Sequence, residues 1–146
     1  MSKSMTMFLA TAFVATASWA ESLPPVDVYK SPSCGCCNSW VAHMRSAGFE
    51  VRVHDTNDVT PYKKKFGIPY GYGSCHTARV GDYVIEGHVP AEQVKRLLAS
   101  HAQVRGLIVP GMPATSPGME GQSDRKDHYD VLLLGSEGGL SRYAHY

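Results

Sequence analysis

Neither sign of charge predominates in this sequence, and no basic run exceeds the three lysines at 63–65: 14 Lys and Arg stand against 13 Asp and Glu in 146 residues. Binding nucleic-acid phosphates takes positive charge concentrated on one face, so this balance argues against a nucleic-acid partner and leaves small molecules, metals or proteins. Nor is there an apolar run of the ~20 residues a membrane-spanning helix needs. The longest such stretch, Met5 to Ala17, is shorter and is broken by threonines. No Ser-His-Asp arrangement, H-E-x-x-H helix, Walker loop or dinucleotide fingerprint can be read, which leaves hydrolytic and nucleotide-dependent chemistry without support. Cysteine is scarce, with four residues in the chain.

Residues 1–20 read as an export leader. Lys3 gives a weakly basic start, the Met5–Ala17 run follows, and Ser18-Trp19-Ala20 puts small residues where a signal peptidase inspects them. Cleavage after Ala20 would bring the basic count down to the acidic one, would leave no stable membrane insertion, and would place the protein in the periplasm. What remains is long enough for one core without disulfide staples. Export puts the cysteines in an oxidising compartment, where structural disulfides are the default. Cys34, Cys36 and Cys37 nevertheless crowd within four residues, whereas structural bridges join distant segments, so the clustering points to redox or metal chemistry.

The hydrophobic pattern predicts an α/β fold. Val26 to Tyr29 alternates as a strand, Ser31-Pro32-Ser33 supplies a turn and a helix cap, and Trp40, Val41, Met44 and Ala47 recur at helical spacing ahead of Gly48. Phe49 to His54 predicts a second strand and Asp58 to Phe66 a short polar helix. T-A-R-V and Y-V-I-E around Gly81-Asp82 predict a hairpin, and Pro90 to Leu98 a helix with Val94, Leu97 and Leu98 on one face. This order, βαβα then ββα over residues 21–101, is that of a thioredoxin-like fold with the cysteine loop after the first strand. Residues 102–146 read as a loop-rich C-terminal extension packed on that domain, with Asp130 to Leu134 its one strand.

Cys34 and Cys37 form a C-x-x-C pair, the attacking and resolving thiols of a dithiol mechanism; a helix N-terminus stabilises such thiolates. Cys36, inserted between them, is surplus to that chemistry, and several soft sulfurs in one place select Cu(I) or Zn(II). Cys75, followed by His76, stands at the entrance to the third predicted strand, where it can face the cysteine loop. His88 in E-G-H-V-P offers a nitrogen donor. Met112 and Met119 close two P-G-M tripeptides, and their thioethers ligate copper without deprotonation and form no disulfide. His43, His54, His101, His128 and His145 read as surface or structural.

Together Y-K-S-P-S-C-G-C-C, W-V-A-H-M, S-C-H-T-A, E-G-H-V-P, V-P-G-M-P and S-P-G-M-E resemble the CopG family of periplasmic copper-resistance proteins, over about Val26 to Glu120. The resemblance implies a thioredoxin-like domain that binds copper through the cysteines at 34, 36 and 37, with interconversion of Cu(I) and Cu(II). Copper, as one or several thiolate-bridged ions, is then the expected ligand, held by Cys34, Cys36, Cys37, Cys75, His76 and His88 with Met112 and Met119. Expected partners are copper ions, other periplasmic copper-resistance proteins or an electron-transfer protein. Enzymatic turnover as a copper oxidoreductase is left open, beside a thiol-disulfide oxidoreductase using Cys34 and Cys37 and a non-catalytic copper chaperone or sponge.

Overall fold

A computed structural model describes residues 22–146; the leader read over residues 1–20 lies outside them. Among the described residues no helix is long and apolar enough to cross a membrane. The described residues form a mixed α/β fold with three helices and one seven-stranded sheet. Strand β1 (Val26–Lys30) leads into α1 (Gly35–Ser46), β2 (Val51–Asp55) and α2 (Thr60–Phe66). The hairpin β3 (Thr77–Val80) and β4 (Tyr83–Glu86) follows, then α3 (Ala91–Ser100), β5 (Val104–Ile108), β6 (Asp130–Gly135) and β7 (Leu140–His145), and the strands lie in the order β2-β1-β3-β4-β5-β6-β7.

Helix α1 forms where the apolar spacing predicts it and buries Cys37, Trp40, Val41 and Met44. These positions recur three or four apart and so share one face. That face packs over Val26, Val28, Ala78 and Ile85 of the sheet, all shielded from solvent. Trp40 is fully buried and its indole N–H donates to the Val89 carbonyl at 2.9 Å, so the ring meets no unsatisfied polar group. Helix α3 buries Ala91, Val94 and Leu97.

Pairing directions bring distant loops to one end of the sheet. Strand β1 runs parallel to β2 and antiparallel to β3, and β4 runs antiparallel to β3 and parallel to β5. The ends of β1, β4 and β5 therefore meet the start of β3. The cysteine loop, the Ser74–His76 segment, His88 and the Pro110–Met112 turn all emerge there. Lys30, almost fully buried, ties the floor of this end by donating to Ser31 O at 2.8 Å and to Asp55 Oδ1 at 3.0 Å.

Several boundaries differ from the sequence expectation for identifiable reasons. The second strand starts at Val51 rather than Phe49, because Gly48 at φ 93° ends α1 and the Phe49 N–H turns back to the Met44 carbonyl. The second helix starts at Thr60 rather than Asp58, whose carboxylate accepts the Thr60 N–H at 2.8 Å in a turn. The cap on α1 is Cys34, one residue beyond the Ser31-Pro32-Ser33 segment expected to supply it: its sulfur accepts the Cys37 N–H at 3.3 Å. After residue 101 three strands stand where one was expected, continuing the same sheet. Strand β5 was hidden by Gly106, which sits at a bulge where an added Cβ would lie 1.7 Å from the Val84 carbonyl oxygen. Strand β7 reads L-S-R-Y-A-H, too polar to stand out as an edge strand.

His43 is structural. Its Nε2 accepts the Ala91 N–H at 3.0 Å and so caps α3, whose own cap position is Pro90 with no side chain to offer. Burial first, opposed by Glu120 and Glu92, lowers its pKa below the usual 6.5. The neutral form is thus favoured in the folded state, and the stability it provides is present above about pH 6.5 and lost as pH falls towards the lowered folded value. His43→Ala is expected to cost about 1 kcal/mol at pH 7.5. The gap to wild type, measured by denaturant unfolding, should narrow towards pH 5; a constant gap would contradict the cap.

Candidate metal centre

Four sulfurs converge at the crowded end of the sheet. Cys34 and Cys37 are joined by a disulfide, and Cys36 and Cys75 are free thiols. Cys36 Sγ lies 3.5 Å from Cys34 Sγ and 3.9 Å from Cys75 Sγ. All four sulfurs lie within 4.8 Å of one another. Cys75 also belongs to a second group: its Sγ is 3.1 Å from His88 Nε2 and 3.5 Å from His76 Nδ1. The Cys75 sulfur is therefore common to a sulfur-only set and a set containing two imidazoles.

A backbone carbonyl orients His88. Pro117 O lies 2.8 Å from Nδ1, and a carbonyl can only accept, so Nδ1 carries the proton and Nε2 turns its lone pair towards Cys75. Burial lowers the His88 pKa, which keeps the ring neutral and able to donate that lone pair. Burial, with the Cys36 thiol behind it, pushes the Cys75 thiol up to about 11. At neutral pH Cys75 is thus an S–H donor to His88 Nε2, and a metal ion bound there would displace that proton.

His76 is fully buried between the Trp40 ring at 4.4 Å and the His88 ring at 5.0 Å, measured between centroids. Burial above all lowers its pKa well below the usual histidine value. Its Nε2 has no hydrogen-bond partner, a costly arrangement for a buried imidazole nitrogen.

The structure brings together Cys34, Cys36, Cys37, Cys75, His76 and His88. Met112 and Met119 stand on the two flanking loops. Met112, 52% exposed, follows Gly111, whose carbonyl accepts the Ser74 hydroxyl at 2.5 Å and whose N–H donates to Gly73 O at 3.1 Å. Met119 is half-buried and follows Gly118, which rests on the first turns of α1. An added Cβ at Gly118 would fall 2.6 Å from Trp40 N, and its φ is 87°. The second P-G-M tripeptide thus has a role that sequence reasoning missed: Pro117 holds His88 and Gly118 lets the loop close onto the helix. The repeat itself was the available signal, since its glycine is as regular as its methionine. Among the remaining histidines, His54 bonds Asp27 Oδ1 at 2.8 Å and His145 bonds Asp130 Oδ1 at 2.7 Å, both on the surface.

A family model described as "Protein of unknown function, DUF411" matches residues 72–119, the stretch carrying Cys75, His76, His88 and both P-G-M tripeptides. No curated protein matches the chain. A solved structure titled "Copper resistance protein copG- Form 2" is 42% identical with a TM-score of 0.80, covering 86% of this chain and 99% of its own. One titled "Copper resistance protein copG- Form 1" is also 42% identical with a TM-score of 0.77, covering 84% and 98%.

Gly118→Ala should lower stability by about 1–3 kcal/mol, since the new methyl meets backbone rather than a yielding side chain and the residue stays in the left-handed region. Thermal unfolding checks this; an unchanged melting temperature would show that the loop does not rest on α1.

Proposed function

The chain belongs to the CopG family of copper resistance proteins, and from that membership we propose that it binds copper at the cysteine end of the sheet and passes it between oxidation states. The observation that carries the reading is the sharing of Cys75. Sulfur donors favour Cu(I), while imidazole also suits Cu(II). A sulfur-only set and a Cys75-His76-His88 set meet at one atom, so an ion that changes oxidation state need move little to exchange donors. Thiolates bridge, and the four sulfurs can serve several Cu(I) ions. The order β1-α1-β2-α2 followed by β3-β4-α3 supports a thioredoxin-like domain over residues 21–101, with residues 102–146 as its extension. The basic, apolar and small-residue succession in residues 1–20 supports export to the periplasm. There the partners would be copper ions, other copper-resistance proteins and an electron carrier.

Reduction of the Cys34–Cys37 disulfide raises the number of thiols available from two to four. The disulfide-bonded protein keeps Cys36, Cys75 and the two imidazoles. Anaerobic loading with Cu(I), followed by metal quantification against a competing chelator, should give a higher copper-to-protein ratio for the reduced protein than for the oxidised one. Loss of copper to a moderate chelator in both states would overturn the copper reading, and equal ratios would show that the disulfide does not set the capacity.

The disulfide itself favours a second reading, a thiol-disulfide oxidoreductase in which Cys34 attacks and Cys37 resolves. Cys36→Ala separates the two. A dithiol enzyme should retain insulin-reducing activity, whereas a copper site should lose affinity or stoichiometry with the third sulfur of the loop. Voltammetry of the loaded protein then distinguishes redox cycling, which should give a reversible copper wave, from a chaperone or sponge that holds Cu(I) without electron transfer.

A further inference from the structure

Cys75 lies just outside the sheet ladder, since β3 begins at Thr77. Its place beside Cys36 and His88 must be held by something else. On one side the Ser74 N–H donates to Glu86 Oε1 at 2.6 Å; on the other Lys63 Nζ donates to the His76 carbonyl at 3.3 Å. Lys63 and Glu86 are themselves ion-paired, and Glu86, at the end of β4, is fully buried. The Lys63 stem also runs along Gly73, where an added Cβ would lie 3.8 Å from Lys63 Cδ. One ammonium and one carboxylate therefore grip the residues on either side of Cys75.

Stability is a poor account of this pair. Buried ion pairs seldom outdo apolar replacements, because desolvation cancels much of the attraction. Here Glu86 Oε2 and the facing Thr77 Oγ1 have no hydrogen-bond partner, so the carboxylate is not fully compensated. What the pair does secure is direction, since both charges point at backbone groups of a single tripeptide. We propose that Lys63 and Glu86 are positioning residues for Cys75, fixing its sulfur at the point shared by the sulfur and imidazole donor sets. The consequence for copper rests on the function proposed above; the consequence for the Cys75 thiol does not.

Two variants test it: Glu86→Gln, which keeps an acceptor for Ser74, and Lys63→Met/Glu86→Gln, which leaves neither charge buried alone. With Cys36→Ser and the Cys34–Cys37 disulfide intact, Cys75 is the sole free thiol. Its alkylation by iodoacetamide should then quicken several-fold in the double variant while the thermal transition stays cooperative. In otherwise unaltered reduced protein, Cu(I) affinity should fall by about 10- to 100-fold, the usual loss when a group that orients a metal ligand is removed. The same changes on a Cys75→Ser background should leave the residual affinity unaltered. An unchanged alkylation rate, or an equal loss of affinity with and without Cys75, would overturn the proposal. Failure of wild-type protein to hold copper would refute the function proposed above and leave the alkylation result to decide this one.

Discussion

The approach of Cys75 to Cys36 is the contact on which the rest of this site depends. The two residues stand 39 apart in the chain, with their sulfurs 3.9 Å apart. Antiparallel pairing of β1 with β3 makes this approach, because it sets the start of β3 against the end of β1. Cys36 is then fixed by its place in the first turn of α1, which packs through Trp40 and Met44. Cys75 is fixed by Glu86 and Lys63, and His88 by the Pro117 carbonyl. Each sulfur or nitrogen is thus aimed by an element from a different part of the sequence.

Burial gives the site its chemical character. It keeps His76 and His88 neutral and Cys75 protonated, so the Cys75-His76-His88 group carries no charge at neutral pH. Proton release would then accompany the copper uptake proposed above. The Cys34–Cys37 disulfide takes two of the four sulfurs out of play. In the copper reading proposed above, redox state and metal capacity are therefore coupled through a single bond.

Much of this was legible in the sequence because it is local. The C-x-C-C cluster, the helical spacing from Trp40 to Met44 and the hairpin around Gly81-Asp82 are short-range patterns, and their elements formed where expected. Cys75, His76 and His88 could be named from their residue types and placed once the strand order was known. Strand β5 was concealed by a glycine that close strand contact requires, and β7 by its polarity. The roles of Pro117 and Gly118 were concealed for a different reason: one acts through a backbone carbonyl and the other through a missing Cβ, neither of which a side-chain motif records. His43 was set aside as surface or structural, and only the three-dimensional approach of α1 to the start of α3 reveals what it caps.

The most direct test of the central claim is an anomalous-difference map from crystals of the reduced, copper-loaded protein. The account predicts copper peaks within bonding distance of Cys36 and Cys75, with His88 Nε2 on the same or an adjoining ion and Pro117 still bonded to Nδ1. Copper confined to surface histidines such as His54 or His145, with Cys36 and Cys75 unligated, would contradict it.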